Sequence, residues 1–317
     1  MKKVIYISYA VCAIAMFALL FYMFDHLRVI ESNTREDNEY TQLQPYRTWV
    51  VKDSGAPIGV SKVFQFKVPA IGKGTKTLAF YSHHQDVVIY KGDKVIYQRR
   101  VYQGNPFGRT SGQGWNDLTL YSEDSGKILT VVMSPEYSTV QGIDVTFYYG
   151  SKIKIWLHDV IRQLAPSILS LIAIVMGMIF VVFILVNIRN KKINRNLLFM
   201  GIFSICIGVW KITDAGILQL LFGNNILFSY IPFVSLLLCV IPFVLFMRTL
   251  FTDRESKGWY IVCLASLAVM VFSFVVQILN KGDMRETLPF NHAVMGVMAL
   301  VTVVQVCLLY TSDAADE

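Results

Sequence analysis

The chain has 317 residues, 54% of them hydrophobic and 16% charged, with a mean hydropathy of +0.49. Soluble domains carry about a quarter charged residues, so a wholly soluble protein is excluded. The formal net charge of +7 does not indicate a nucleic-acid binder. Much of the excess lies beside apolar stretches, at Lys2, Lys3, Arg189, Lys191, Lys192 and Arg195, where basic residues set membrane orientation.

Val4 to Phe24 contains no charged residue and is long enough to cross about 30 Å of hydrocarbon. Phe21-Tyr22-Met23-Phe24 lacks the small residues of a cleavage site, so residues 1–24 are read as an uncleaved membrane anchor. Residues 25–44 are polar and charged, as in a linker. Residues 45–158 change period to two. Phe64, Phe66 and Val68 alternate with Gln65 and Lys67, Leu78 and Phe80 with Thr77, Ala79 and Tyr81, and Ile143, Val145 and Phe147 with Asp144, Thr146 and Tyr148. Such alternation marks half-buried strands. Val87 to Tyr90 and Val95 to Gln98 flank Lys91-Gly92-Asp93-Lys94, whose Gly-Asp centre supplies a hairpin's positive φ. Trp115 to Tyr121 and Ile128 to Ser134 are further strands, and the glycine-rich Gly104 to Gly114 is a loop over one end. The expected fold is a β-sandwich of jelly-roll type. No cysteine lies between Asp25 and His158, so an ordinary core must hold it.

Residues 162–306 predict a helical bundle of five spans: 164–188, 197–222, 226–251, 259–279 and 290–306. Alternating from an internal Lys2 puts residues 25–163 outside and the basic Arg189 to Asn196 inside, in agreement with the bias of basic loops. The chain is therefore expected to be a multi-pass α-helical plasma-membrane protein with an extracytoplasmic all-β domain. Its last residues, CLLYTSDAADE (307–317), look like a translated sequencing-library adapter. The natural sequence is then expected to depart near Val306.

No zinc-protease, phosphate-loop or nucleophile-elbow motif is present, and no cofactor or metal is expected. His83 and His84 are adjacent in a predicted strand and would point to opposite faces, which disfavours a shared metal. Trp115 and Asn116 follow the glycine-rich loop. An aromatic face beside an amide suits saccharide recognition, so Trp115, Asn116, Phe107 and Arg109 are the candidate ligand residues. Lys211 and Asp214 share one helical face inside a span, and ionisable groups at that depth are functional candidates. Pro232 and Pro242 would kink the following span.

Five segments carry a resemblance: Thr77 to Gln98, Phe107 to Tyr137, the Gly150-Ser151 exit, Leu197 to Asp214 and Ile231 to Met247, about half the chain. The chain resembles bacterial seven-transmembrane receptors with diverse intracellular signalling modules, nearest to gut-Firmicutes membrane sensors that end in a GGDEF diguanylate cyclase. The resemblance implies an external jelly-roll sensor, seven spans and a cytoplasmic output domain. This chain departs from it, with five spans after the domain and no GGDEF signature, so cyclic di-GMP synthesis is implied for the parent protein only. The expectation is a receptor, itself not an enzyme, that takes a small extracellular ligand and drives an output domain outside this sequence. Signalling through such bundles usually involves a homodimer, although no residue pattern here specifies one. The alternatives are an envelope polymer-binding or assembly protein, and a transport accessory.

Overall fold

The computed structural model of the chain describes residues 40–53, 55–101, 110–187, 195–251 and 257–316. The expected anchor at 1–24 lies outside them. Among the described residues nine strands form two antiparallel sheets: β1 Tyr40–Gln42, β2 Arg47–Lys52, β3 Val60–Lys67, β4 Lys76–His83, β5 Gln85–Lys91, β6 Lys94–Arg99, β7 Gln113–Leu120, β8 Ile128–Pro135 and β9 Phe147–Gly150. One sheet has the order β1-β9-β4-β7 and the other β2-β3-β8-β5-β6. Their facing sides enclose a core that includes Phe64, Phe66, Leu78, Phe80, Ile89, Leu129, Val131 and Phe147. Phe147 sits at its centre, with ring centroids 5.0, 4.6 and 4.8 Å from Phe64, Phe66 and Phe80.

The β5–β6 hairpin turns on Gly92 at φ +60°, and Asp93 keeps a negative φ. One positive φ at the first central position is the type II′ solution, which follows the right-handed strand twist. β4 departs from simple alternation: Leu78, Ala79 and Phe80 are all fully buried. One face of this strand meets the sandwich core and the other is covered by a helix, so both parities are apolar. Tyr40–Gln42, expected to be linker, pairs with β9 as an edge strand.

The helices are α1 Lys152–Val186, α2 Arg195–Asp214, α3 Ile217–Phe222, α4 Asn225–Phe251, α5 Lys257–Ile278 and α6 Met284–Asp316. All but α3 contain a stretch long and apolar enough to cross a membrane. α1 begins two residues after β9 and has 35 residues. At 1.5 Å per residue it is about 52 Å long, more than the hydrocarbon thickness, so its first turns lie beside the sandwich. The span expected over 197–222 breaks at Gly216, which takes a left-handed φ of +81°. Pro232 and Pro242 both lie buried within the unbroken α4.

α1 and α2 meet through small residues spaced seven apart. A Cβ on Gly177 would stand 2.6 Å from the Gly201 carbonyl oxygen, and one on Gly208 would stand 2.6 Å from that of Ser170. Without a strong hydrophobic drive between helices in lipid, close backbone approach supplies the packing energy. Gly208→Ala is expected to cost about 1–3 kcal/mol by overpacking. Thermal unfolding of the full chain in detergent checks this, and an unchanged midpoint would contradict the close approach.

Candidate functional site

The sandwich rests on one end of the bundle through three seats. The first is α1. On β7, Trp115 and Asp117 share a strand face and point toward the helix. Trp115 Nε1 donates to Asp159 Oδ2 at 2.9 Å, and Trp156 Nε1 donates to Asp117 Oδ1 at 3.4 Å. Lys152 pairs with Asp117 at 3.2 Å. The rings of Tyr81 and Tyr148 flank Trp115 at 5.8 and 5.9 Å. His158 of α1 lies 5.5 Å from Tyr40.

The second seat is the start of α4. Gly112 and Gly114 have φ of +79° and +156°, and a Cβ on Gly112 would stand 2.7 Å from the Asn225 carbonyl oxygen. Only glycine combines that dihedral with that approach. Gln113 N donates to Ser229 Oγ at 2.8 Å, and Ser229 Oγ donates back to the Asn225 carbonyl at 2.6 Å.

The third seat is Asp283, between α5 and α6. Its carboxylate accepts from Tyr137 of the sandwich, from Tyr230 of α4 at 2.9 Å and from Gln277 of α5 at 2.8 Å. It is fully buried. Burial, then the adjacent Asp283 charge, pushes the Tyr137 hydroxyl far above its usual pKa, so it remains a donor. The Arg285 guanidinium lies 5.8 Å from the Tyr137 ring centroid.

His84 stands among these seats. It has left-handed backbone at φ +51° and is 1% exposed. Its Nδ1 pairs with Thr110 Oγ1 at 2.8 Å, and its ring lies 5.6 Å from Tyr137 and 6.0 Å from Phe233 of α4. Burial first, then the positive charge of Arg285, holds its pKa at about 3, so the ring is neutral. Beside it Glu136 Oε1 accepts from Ser111 N at 2.7 Å and Ser111 Oγ at 2.9 Å. Burial pushes the Glu136 carboxyl well above the usual carboxylate range, and the Asp86 charge adds to this. His84 Nε2, Gln85 Oε1 and Glu136 Oε2 are buried without a hydrogen-bond partner among the described residues. Buried polar atoms with open valences of this kind are where a small polar ligand gains most from binding.

His84 has a folded pKa below its unfolded value of 6.5. The stability it contributes is complete above pH 6.5 and is lost as pH falls toward 3, by at most about 1.4 kcal/mol per pH unit. Glu136, with a raised folded value, acts in the opposite sense: its contribution is present at low pH and lost as pH rises. His84→Asn, which tolerates left-handed backbone, is expected to flatten the acid limb of stability against pH. Urea titrations of both proteins between pH 7 and pH 4 measure this. Parallel curves would mean that His84 is not the group responsible.

Trp115, expected on an open ligand surface, is engaged by α1. Asn116 points into the sandwich, donating to Ser82 Oγ at 2.9 Å and accepting from Tyr97 OH at 3.0 Å. Phe107 and Arg109 lie outside the described residues. Lys211 and Asp214 form no ion pair within 4 Å. The Lys211 ammonium lies 4.2 Å from the Trp210 ring centroid, and the Asp214 charge acts on Tyr81 and His83 of the sandwich. His83 ends β4 and His84 turns the chain away from it, so the two never extend one strand. No grouping able to hold a metal occurs among the described residues.

Fold and seats together define a multi-pass membrane protein whose β-sandwich is docked onto its helical bundle. No protein-family model and no curated protein matches the chain.

Proposed function

We propose that the chain is the sensing and membrane portion of a receptor. Its sandwich faces the cell exterior and binds a small polar molecule, of which a saccharide is one chemistry. The bundle carries the resulting shift to a cytoplasmic output domain outside this sequence, of the GGDEF type that the resemblance implies, acting as a homodimer. The strand orders β1-β9-β4-β7 and β3-β8-β5-β6, with β2 added at an edge, suit a jelly-roll winding, an architecture shared with carbohydrate-binding domains.

One observation carries the reading. The sandwich has no flexible tether to the described helices: β9 passes into α1 across Ser151, and Asp283 ties strand-side Tyr137 to α4 and α5 at once. A polymer-binding module needs only a tether. Coupling needs contacts that differ between bundle states, worth about 1–3 kcal/mol. Ligand at the His84–Glu136 cluster would act within reach of the α4 seat, through Gly112 and Phe233, and of the Asp283 seat, through Tyr137.

Hydrogen exchange tests the coupling. Tyr137→Phe is expected to change exchange rates over residues 236–250, at the far end of α4. Unchanged rates there would defeat the receptor reading. Sidedness has its own test, with the native cysteines replaced by alanine. Asp93→Cys, on the exposed β5–β6 turn, is expected to react with a membrane-impermeant maleimide on whole cells, and Asn194→Cys only after lysis. The reverse pattern would put the sandwich in the cytosol.

A further inference from the structure

At the end of the bundle away from the sandwich, α2 opens with Arg195 and the last turns of α4 carry Arg248. A recess of about 320 Å3 lies between them, completed by Phe199, Leu245 and Thr249. Leu245 and Arg248 also line an adjoining groove between α4 and α5, whose other walls include Ile241, Trp259, Leu264 and Leu267. The Arg248 guanidinium lies 4.5 Å from the Tyr260 ring centroid, which holds it at the mouth of both spaces. Neither arginine forms an ion pair among the described residues.

We propose that recess and groove together hold one anionic phospholipid of the leaflet facing away from the sandwich. Its phosphodiester lies between Arg195 and Arg248, and an acyl chain lies along the α4–α5 groove. Charge complementarity selects the headgroup: a guanidinium fork matches phosphate oxygens, and two arginines at a bilayer boundary favour an anionic partner. The groove selects the source. A soluble phosphate would leave the apolar walls of Ile241, Leu264 and Leu267 without an occupant, whereas a lipid satisfies both at once. The occupant would touch α2, α4 and α5, and the last two are the helices that Asp283 joins at the opposite end.

The full chain, purified in a neutral detergent, is titrated with phosphatidylglycerol, phosphatidylcholine or inorganic phosphate. Native mass spectrometry reads retained lipid and thermal unfolding reads stabilisation. Phosphatidylglycerol is expected to be retained at one per chain and to raise the unfolding midpoint, and the other two are not. Arg195→Ala/Arg248→Ala removes both charge-assisted contacts and is expected to weaken phosphatidylglycerol binding at least about tenfold. Arg248→Lys keeps the charge but loses the fork, and is expected to bind more weakly than the native chain; it carries the test if the double variant does not fold. Equal response to phosphatidylcholine, a full response to inorganic phosphate, or native-like binding by the variants would each overturn the proposal.

Discussion

Asp283→Ala is expected to destabilise the full chain by about 3–5 kcal/mol, the largest effect of any change at the seats. Three donors converge on this one carboxylate, from Tyr137, Tyr230 and Gln277, and the site is closed to water. Alanine removes the acceptor and leaves the buried Tyr137 and Gln277 donors without it, at about 1–3 kcal/mol apiece before relaxation, with a smaller loss at the half-buried Tyr230. Asp283 also organises its own loop, its N–H donating to Glu286 Oε2 at 2.9 Å. Tyr137→Phe deletes one donor and leaves the carboxylate two others, so its cost should be nearer about 1 kcal/mol. Thermal unfolding in detergent, followed by tryptophan fluorescence and by helical circular dichroism, measures both. Equal midpoints for Asp283→Ala and Tyr137→Phe would show that the carboxylate is not the hub.

The strands that face the core were legible because their period is two. Phe64, Phe66, Leu78, Phe80 and Phe147 were each expected inward, and each is buried. β1, three residues of Tyr-Thr-Gln, carries no apolar alternation and exists because β9 offers it an edge. Ile143 and Val145 alternate with polar residues, but pairing begins only at Phe147. The start of α1 was hidden for a different reason. Residues 152–163 are too charged to read as membrane span, and their helix is set by Asp117, Trp115 and Tyr148 of the sandwich, not by hydropathy.

The seats were the least legible part. Tyr137 and Asp283 are 146 residues apart. Asp283 in sequence is one acid in a balanced loop, and nothing local distinguishes it. Lys211 and Asp214 show the converse: helical spacing placed them on one face, but a tryptophan ring next to Lys211 is the nearer partner. Gly112 and Gly114 carried a usable signal. Their run read as a loop; the closer inference is that glycine at two alternate positions beside a strand allows another backbone to approach.

Phe147→Ala is expected to cost about 3–5 kcal/mol, and its consequences should reach the membrane part. Phe147 is the ring on which Phe64 and Phe66 of one sheet and Phe80 of the other converge, so alanine opens a cavity between the two sheets. A conservative Phe147→Leu keeps most of that volume and should cost less. β9 has four residues and is held by β1 and β4. It is also the strand that feeds α1, so loosening it frees the first turns of the helix from Trp115 and Asp117. The full chain should then unfold in two separated steps. The first is loss of strand signal and of Trp115 burial; the second is melting of the bundle near its native midpoint. A single transition at the native midpoint would mean that Phe147 does not anchor the core. A single transition with the whole bundle lost would mean that the helices depend on the sandwich for their own packing.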